Sequence, residues 1–112
     1  SERSRGLGDV YKRQEYLVAT VKKTEPDTMY YKYWVAEDSS KVSLMEIYPN
    51  NEAALFHMNA FAEAPHRDKF LDTFIVTNFQ VMGDTSNELK DAMKDYTTDH
   101  RVLVDGFKRS KN

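Results

Sequence analysis

The chain has 112 residues, a length typical of one domain, and its 40% hydrophobic, 30% charged and 12% aromatic content is that of a globular protein. The formal net charge of -2 argues against a nonspecific nucleic-acid binder, and the absence of cysteine excludes disulfides, thiolate metal sites and thiol nucleophiles. No apolar run suits a membrane helix or a signal peptide, so the sequence predicts a cytoplasmic protein without nucleic-acid or membrane partners.

The first fourteen residues, SERSRGLGDVYKRQ, are polar and lack periodicity. Their last six letters, DVYKRQ, look like the translation of a transposon end that is used to build sequencing libraries. We therefore expect residues 1–14 to be a non-native or disordered segment on a truncated chain. The alternative is a natural flexible arm that ends in a helix start. The native domain is then predicted over residues 15–109, with a frayed tail at residues 110–112.

The next stretch, residues 15–25, favours a helix because Leu17 and Val21 recur at helical spacing before Pro26. The alternative is a strand over residues 16–21, since Val and Thr favour strands.

Two aromatic or alternating stretches, residues 29–36 and 42–48, predict a hairpin of two strands. Beyond it, Asn51 is predicted as the N-cap of a helix that Pro65 ends. The next predictions are a helix over residues 66–74 and a strand over 75–82. A Thr85–Glu88 capping box then opens a short helix with one apolar side, Leu89, Ala92, Met93 and Tyr96, and a last strand is predicted over 102–104 with Phe107.

This order of elements predicts an α+β protein. With one strand lost at the front, it gives the βαββαβ arrangement of ferredoxin-like folds, an antiparallel sheet with helices on one face.

Several short motifs in this order resemble the antibiotic biosynthesis monooxygenase family of dimeric α+β barrels. They are Glu25-Pro26-Asp27, the aromatic strand Tyr30 to Trp34, Glu46-Ile47-Tyr48, the helix segment Glu52 to Met58, Phe79 to Gly83, and Asp105 to Arg109. The resemblance covers almost all of residues 15–109. One departure is that the family's first strand has no counterpart here.

The resemblance implies oxygenation of small aromatic, quinol or polyketide substrates, often without metal or flavin. Such chemistry needs a group that deprotonates the substrate and a site that excludes water. His57 matches the family's helix histidine and is the predicted catalytic residue, as a base or anion stabiliser. The alternative, a helix histidine that only packs, stays open.

Substrate-binding candidates come mainly from the aromatic strand. Tyr31 and Tyr33 share one face, and Trp34 lies on the other. These rings either stack on a planar substrate or simply form core. Asn59 is a further, weaker candidate, because on a regular helix it points about 160° away from His57.

No metal site or cofactor is expected. His66 and His100 lack the spacing of metal ligands, and glycine-rich phosphate loops are absent. A haem-degrading branch of the superfamily uses an asparagine on the missing strand and a tryptophan on the second helix, whereas Trp34 lies on a strand.

The sequence therefore predicts a cofactor-independent monooxygenase-like domain that acts on a small molecule. The alternative is a non-catalytic binding or structural module on the same fold. An open pocket beside His57 favours the enzyme, and a pocket filled by Phe61, Phe70 and Phe74 favours the module. A homodimer is expected in either case, because the aromatic sheet face exceeds what the helices of one chain can cover.

Overall fold

The structure is a computed structural model that describes residues 2–111, without the side chains of residues 2–7, 9 and 10. Ser1 and Asn112, which belong to the predicted N-terminal segment and tail, lie outside the described residues. The chain divides after His57 into two compact units. The elements in order are α1 (Glu2–Thr24), β1 (Tyr30–Val35), β2 (Val42–Ile47), α2 (Asn51–Glu63), α3 (Arg67–Thr73), β3 (Val81–Met82), α4 (Asn87–Met93) and β4 (His100–Arg101).

Helix α1 confirms the helical interpretation of residues 15–24 and excludes the strand alternative. Its buried residues lie at helical spacing on one face: Gln14, Leu17, Val21 and, directly after the helix, Glu25. The Glu25 backbone N–H still donates to Val21 O at 2.9 Å, and Pro26 has no N–H to continue the ladder. The helix also includes residues 2–14, whose foreign origin stays a prediction.

Gln14 is 6% exposed, and its Nε2 has no hydrogen-bond partner among the described residues. A buried unpaired donor costs about 1–3 kcal/mol. Gln14→Leu keeps a similar volume without the donor, so we expect it to raise the free energy of unfolding by about 1–2 kcal/mol. Urea unfolding tests this against Glu15→Leu at an exposed position, where a change within about 0.5 kcal/mol is expected. A destabilised Gln14→Leu protein would contradict the prediction.

Strands β1 and β2 form the predicted antiparallel hairpin, in which Tyr31 pairs with Glu46 and Tyr33 with Leu44. Alternate side chains lie on opposite faces, as the sequence predicts. The inner face is half-buried and carries Tyr31, Tyr33, Val42, Leu44 and Glu46, whereas the outer face exposes Trp34, Met45 and Ile47.

The hairpin turn is fixed by local hydrogen bonds. Asp38 Oδ1 accepts from the backbone N–H of Ser40 at 3.0 Å and from its hydroxyl at 2.6 Å. Ser39 has a φ of 62°, in the left-handed region that a tight turn requires and that few non-glycine residues adopt.

Helix α2 begins one residue earlier than predicted, because its N-cap is Asn50 and not Asn51. Asn50 Oδ1 accepts from the Ala53 N–H at 2.9 Å, the bond that defines an N-cap. The prediction was wrong by one residue because adjacent asparagines offer the same side chain, and only the backbone decides which one reaches that amide. The helix ends at Glu63, before Pro65, as predicted.

The second unit is built around aromatic rings and helix α4. Phe61 packs edge-on against Phe70 at 5.4 Å between centroids and lies 6.2 Å from Tyr96. Leu89 and Met93 of α4 are 3% and 6% exposed, which confirms the predicted apolar side of that helix.

The predicted capping box of α4 is wrong. The N-cap is Ser86, whose extended backbone lets its Oγ accept from the Leu89 N–H at 3.2 Å. Thr85 lies one residue too early for this bond.

Both strand predictions in this unit were also too long or misplaced. Only Val81–Met82 of the stretch 75–82 is a strand, and it pairs in parallel with His100–Arg101 rather than with residues 102–104. Thr97 Oγ1 donates to Phe79 O at 2.6 Å, which fixes where the two segments meet. Outside that short pairing, β-favouring residues such as Ile75 and Val104 are 91% and 94% exposed, since a strand needs a partner and not only propensity.

The predicted α+β class is confirmed. Within the described residues, β1–β2 and β3–β4 are separate two-stranded sheets, so the ferredoxin-like arrangement stays a proposal. Among residues 2–111, no helix is long and apolar enough to cross a membrane.

Candidate functional site

The first unit holds a buried ionic cluster centred on His57. Its Nδ1 lies 2.6 Å from Glu25 Oε1, and its Nε2 lies 2.9 Å from Glu46 Oε1. The three side chains are 12%, 7% and 22% exposed. They come from α2, from the residue after α1 and from β2, so the contact joins three elements of the unit. We call Glu25, Glu46 and His57 the ionic trio.

Hydroxyl groups also donate hydrogen bonds to the two carboxylates. Tyr48 OH donates to Glu46 Oε1 at 2.8 Å, and Thr28 Oγ1 donates to Glu25 Oε1 at 3.3 Å. Two ionised carboxylates only accept hydrogen bonds, so between them both ring nitrogens of His57 donate, as in the imidazolium form. Such charge-assisted bonds are stronger than neutral ones.

Aromatic rings enclose the imidazole. The Tyr31 and Tyr48 rings lie 5.9 and 5.7 Å from it between centroids, a distance at which a ring attracts a cation. Tyr33 joins the wall through its hydroxyl, 3.0 Å from that of Tyr31.

The pKa of His57 is raised above its ordinary value. Burial is the largest single influence and acts in the opposite direction, because it disfavours the charged ring, but the hydrogen bonds and charges of Glu46 and Glu25 together outweigh it. With His57 protonated, the two carboxylates and one imidazolium leave the ionic trio with a net charge of -1.

The neighbouring tyrosines stay in their neutral form. Burial, followed by the charges and hydrogen bonds of the cluster, raises the pKa of Tyr31 and Tyr48, and burial likewise raises the pKa of Tyr33. These hydroxyls therefore add no negative charge to the cluster.

A small pocket borders the ionic trio at Glu25. Its volume is about 130 Å³, and its remaining lining is Pro26, Asp27, Thr28, Ala53 and Phe56. The wall is mostly apolar, with Glu25 as its buried charged group. Glu25 thus links the pocket to His57.

The structure brings together some of the sequence-predicted site residues. His57, Tyr31 and Tyr33 share the cluster. Trp34 is 56% exposed on the opposite face of β1 and does not belong to it. Asn59 is exposed on α2, in the part of that helix that falls in the second unit.

Sequence reasoning missed Glu25, Glu46 and Tyr48 as site residues. Each stood in a quoted motif, Glu25-Pro26 or Glu46-Ile47-Tyr48, but only as a mark of resemblance. The available signal was the alternation of β2, which puts Glu46 on the same face as apolar residues. A carboxylate on a buried face needs a partner.

Metal binding has no support among the described residues, where no group of three or more His, Asp or Glu side chains is arranged to hold an ion. In the ionic trio, each ring nitrogen faces its own carboxylate, so the two carboxylates lie on opposite sides of the ring.

The protonation of His57 should make the stability of the protein fall at high pH. The pKa of His57 is higher in the folded than in the unfolded chain. The ionic trio therefore contributes its full stabilisation of the fold below about pH 6.5, and this contribution is lost as the pH rises through the folded-state pKa. Urea unfolding between pH 6 and pH 9 measures the effect.

The matched control for this pH dependence combines His57→Leu, Glu25→Gln and Glu46→Gln and is called the charge-free variant. We expect this variant not to lose stability over the same pH range, because it lacks His57. The titratable groups outside the ionic trio are unchanged, which makes it a matched control. Stability of the native chain that rises over the same window would contradict the prediction.

No protein-family model, curated protein or solved structure matches this chain. The resemblance to the monooxygenase family therefore stays a hypothesis, and the function is argued from the site.

Proposed function

We propose that this chain is a cofactor-independent monooxygenase-like enzyme that acts on a small quinol or related hydroxylated aromatic molecule. The observation that carries the proposal is the ionic trio, a buried histidine cation held between two carboxylates, one of which borders a pocket. Perturbed titratable groups gathered beside a pocket favour a site for acid–base chemistry.

The residues divide the work as follows. A quinol hydroxyl in the pocket passes its proton to the Glu25 carboxylate, and His57 holds that carboxylate in place by its 2.6 Å hydrogen bond. Glu46 keeps His57 charged, and Tyr48 orients Glu46. The deprotonated quinol is itself the reductant of oxygen. Quinol plus O₂ gives hydroxyquinone plus water: one C–H bond, the two quinol O–H bonds and the O–O bond break, and one C–O bond, the new hydroxyl O–H bond and the two O–H bonds of water form. The proton that Glu25 accepts ends in the water.

A dimeric α+β barrel is part of this proposal. The outer face of the hairpin exposes Trp34, Met45 and Ile47 at 56%, 49% and 41%, and apolar patches of this kind favour a protein contact. We propose that a second copy of the chain covers this face. A charged substitution, Met45→Lys, would then convert the dimer to monomer in light scattering.

Oxygen consumption with a panel of quinols and anthrones tests the enzyme hypothesis. The native chain should consume oxygen, and the charge-free variant should lose at least about 100-fold in rate, the typical contribution of a general acid or base. His66→Gln, which replaces a histidine outside the ionic trio, is the matched control and should keep the native rate. Circular dichroism verifies that each protein is folded.

The rival function is a non-catalytic binding or structural module. One observation favours it: both nitrogens of His57 already have partners, so the ionic trio is complete as a structural element. The absence of turnover on every substrate would replace the enzyme by this module. Turnover that the charge-free variant retains would contradict the catalytic role of the ionic trio.

A further inference from the structure

We propose that the pocket beside Glu25 binds neutral, single-ring phenols and quinols and rejects anionic aromatic acids. The inference rests on the proposed function and specifies its substrate class. It is carried by three properties of the described residues: the size of the pocket, the character of its wall and the net charge of the ionic trio.

The pocket has room for one aromatic ring. Its volume of about 130 Å³ is close to that of an apolar cavity of about 150 Å³ that holds benzene. Pro26, Ala53 and Phe56 supply an apolar wall, and Phe56 is 57% exposed, so its ring is available for stacking.

The hydrogen-bonding capacity of Glu25 suits a donor. Both bonds that it accepts from described side chains, from His57 and Thr28, reach Oε1. The second oxygen, Oε2, is therefore left for a ligand hydroxyl. A carboxylate binds a donating O–H and repels an acceptor that has no proton.

Charge decides between ligands of equal size. The ionic trio carries a net charge of -1, and Asp27 adds an exposed carboxylate to the wall of the pocket. A second anion beside these carboxylates is therefore disfavoured, since like charges repel each other. A neutral phenol avoids this cost and still donates its hydrogen bond.

Anaerobic titration separates binding from turnover. Hydroquinone, 4-hydroxybenzoate and benzylamine are added to the native chain at pH 7, and binding is followed by calorimetry or by NMR. We expect hydroquinone to bind at least about tenfold more tightly than 4-hydroxybenzoate, from the added charge alone. Equal or tighter binding of 4-hydroxybenzoate overturns the inference, and so does tighter binding of benzylamine or no binding of hydroquinone at millimolar concentration.

Two substitutions locate the ligand. Phe56→Ala removes an exposed ring from the pocket wall, so the fold should tolerate it, and hydroquinone binding should weaken about threefold to tenfold. Phe107→Ala, at a residue that is 83% exposed in the second unit, is the matched control and should have no effect. Unchanged binding in Phe56→Ala overturns the location.

The outcomes also separate this inference from the enzyme hypothesis. Hydroquinone that binds as described without oxygen consumption contradicts the enzyme and supports the binding site. Turnover that the charge-free variant loses but that Phe56→Ala leaves at the native rate supports the enzyme and overturns the site.

Discussion

Replacing His57 by leucine is expected to lower the free energy of unfolding by about 3–5 kcal/mol, the usual cost of breaking a buried ion pair from one side. The substitution leaves the carboxylates of Glu25 and Glu46 buried at 7% and 22% exposure without their cation. Because the free energy of unfolding of a small domain is about 5–15 kcal/mol in total, this one change should remove a large part of the stability. Urea unfolding at pH 6, where the imidazolium form predominates, is the measurement.

The charge-free variant is the decisive comparison. Glu25→Gln and Glu46→Gln keep an oxygen that can accept from Thr28 and Tyr48, so no buried charge and few unpaired groups are left. We expect it to be more stable than the single variant His57→Leu, since removing all partners of a buried ionic group costs less than removing one. If the single variant is as stable as the native chain, the ionic trio does not stabilise the fold.

The second large effect is expected in the core of the other unit. Leu89 is 3% exposed on α4, and Leu→Ala at such positions costs about 2–5 kcal/mol, from lost burial and from the cavity left behind. The position within this range depends on how far the residues around Leu89 can close the gap. Chemical unfolding of Leu89→Ala measures it.

Leu103→Ala provides the control for this substitution. It makes the same chemical change at a residue that is 83% exposed, and we expect a change within about 0.5 kcal/mol. A Leu89→Ala protein as stable as its control would show that α4 does not anchor a core.

Patterns of alternation and helical spacing predicted the parts of the fold in which neighbours in sequence are also neighbours in space. The hairpin faces around Tyr31 and Glu46 follow from the two-residue period of a strand. The buried side of α4, with Leu89 and Met93, follows from helical spacing. Both are local rules that need no knowledge of the rest of the chain.

The failures have two causes: contacts between distant segments, and local backbone angles that the sequence does not state. Residues 75–80 have strand propensity, but the described chain gives them no pairing partner. The true N-caps, Asn50 and Ser86, each stand beside another residue that could cap the helix. Only backbone angles, which the sequence does not state, decide between the two neighbours. In the candidate site, His57 was found as a residue type at a suitable spacing, whereas its partners lie 32 and 11 positions away and become visible only in three dimensions.

The ionic trio also bears on the rate at which the protein unfolds. Glu25, Glu46 and His57 lie on three separate elements, and their charges attract strongly only after the hairpin has formed and water has left. We expect these contacts to form after the transition state of folding, and contacts of that kind slow the unfolding rate and leave the folding rate nearly unchanged. We therefore expect His57→Leu to unfold faster than the native chain in stopped-flow experiments and to refold at nearly the same rate. The ionic trio would then form last in folding, break first in unfolding, and slow the unfolding of the first unit.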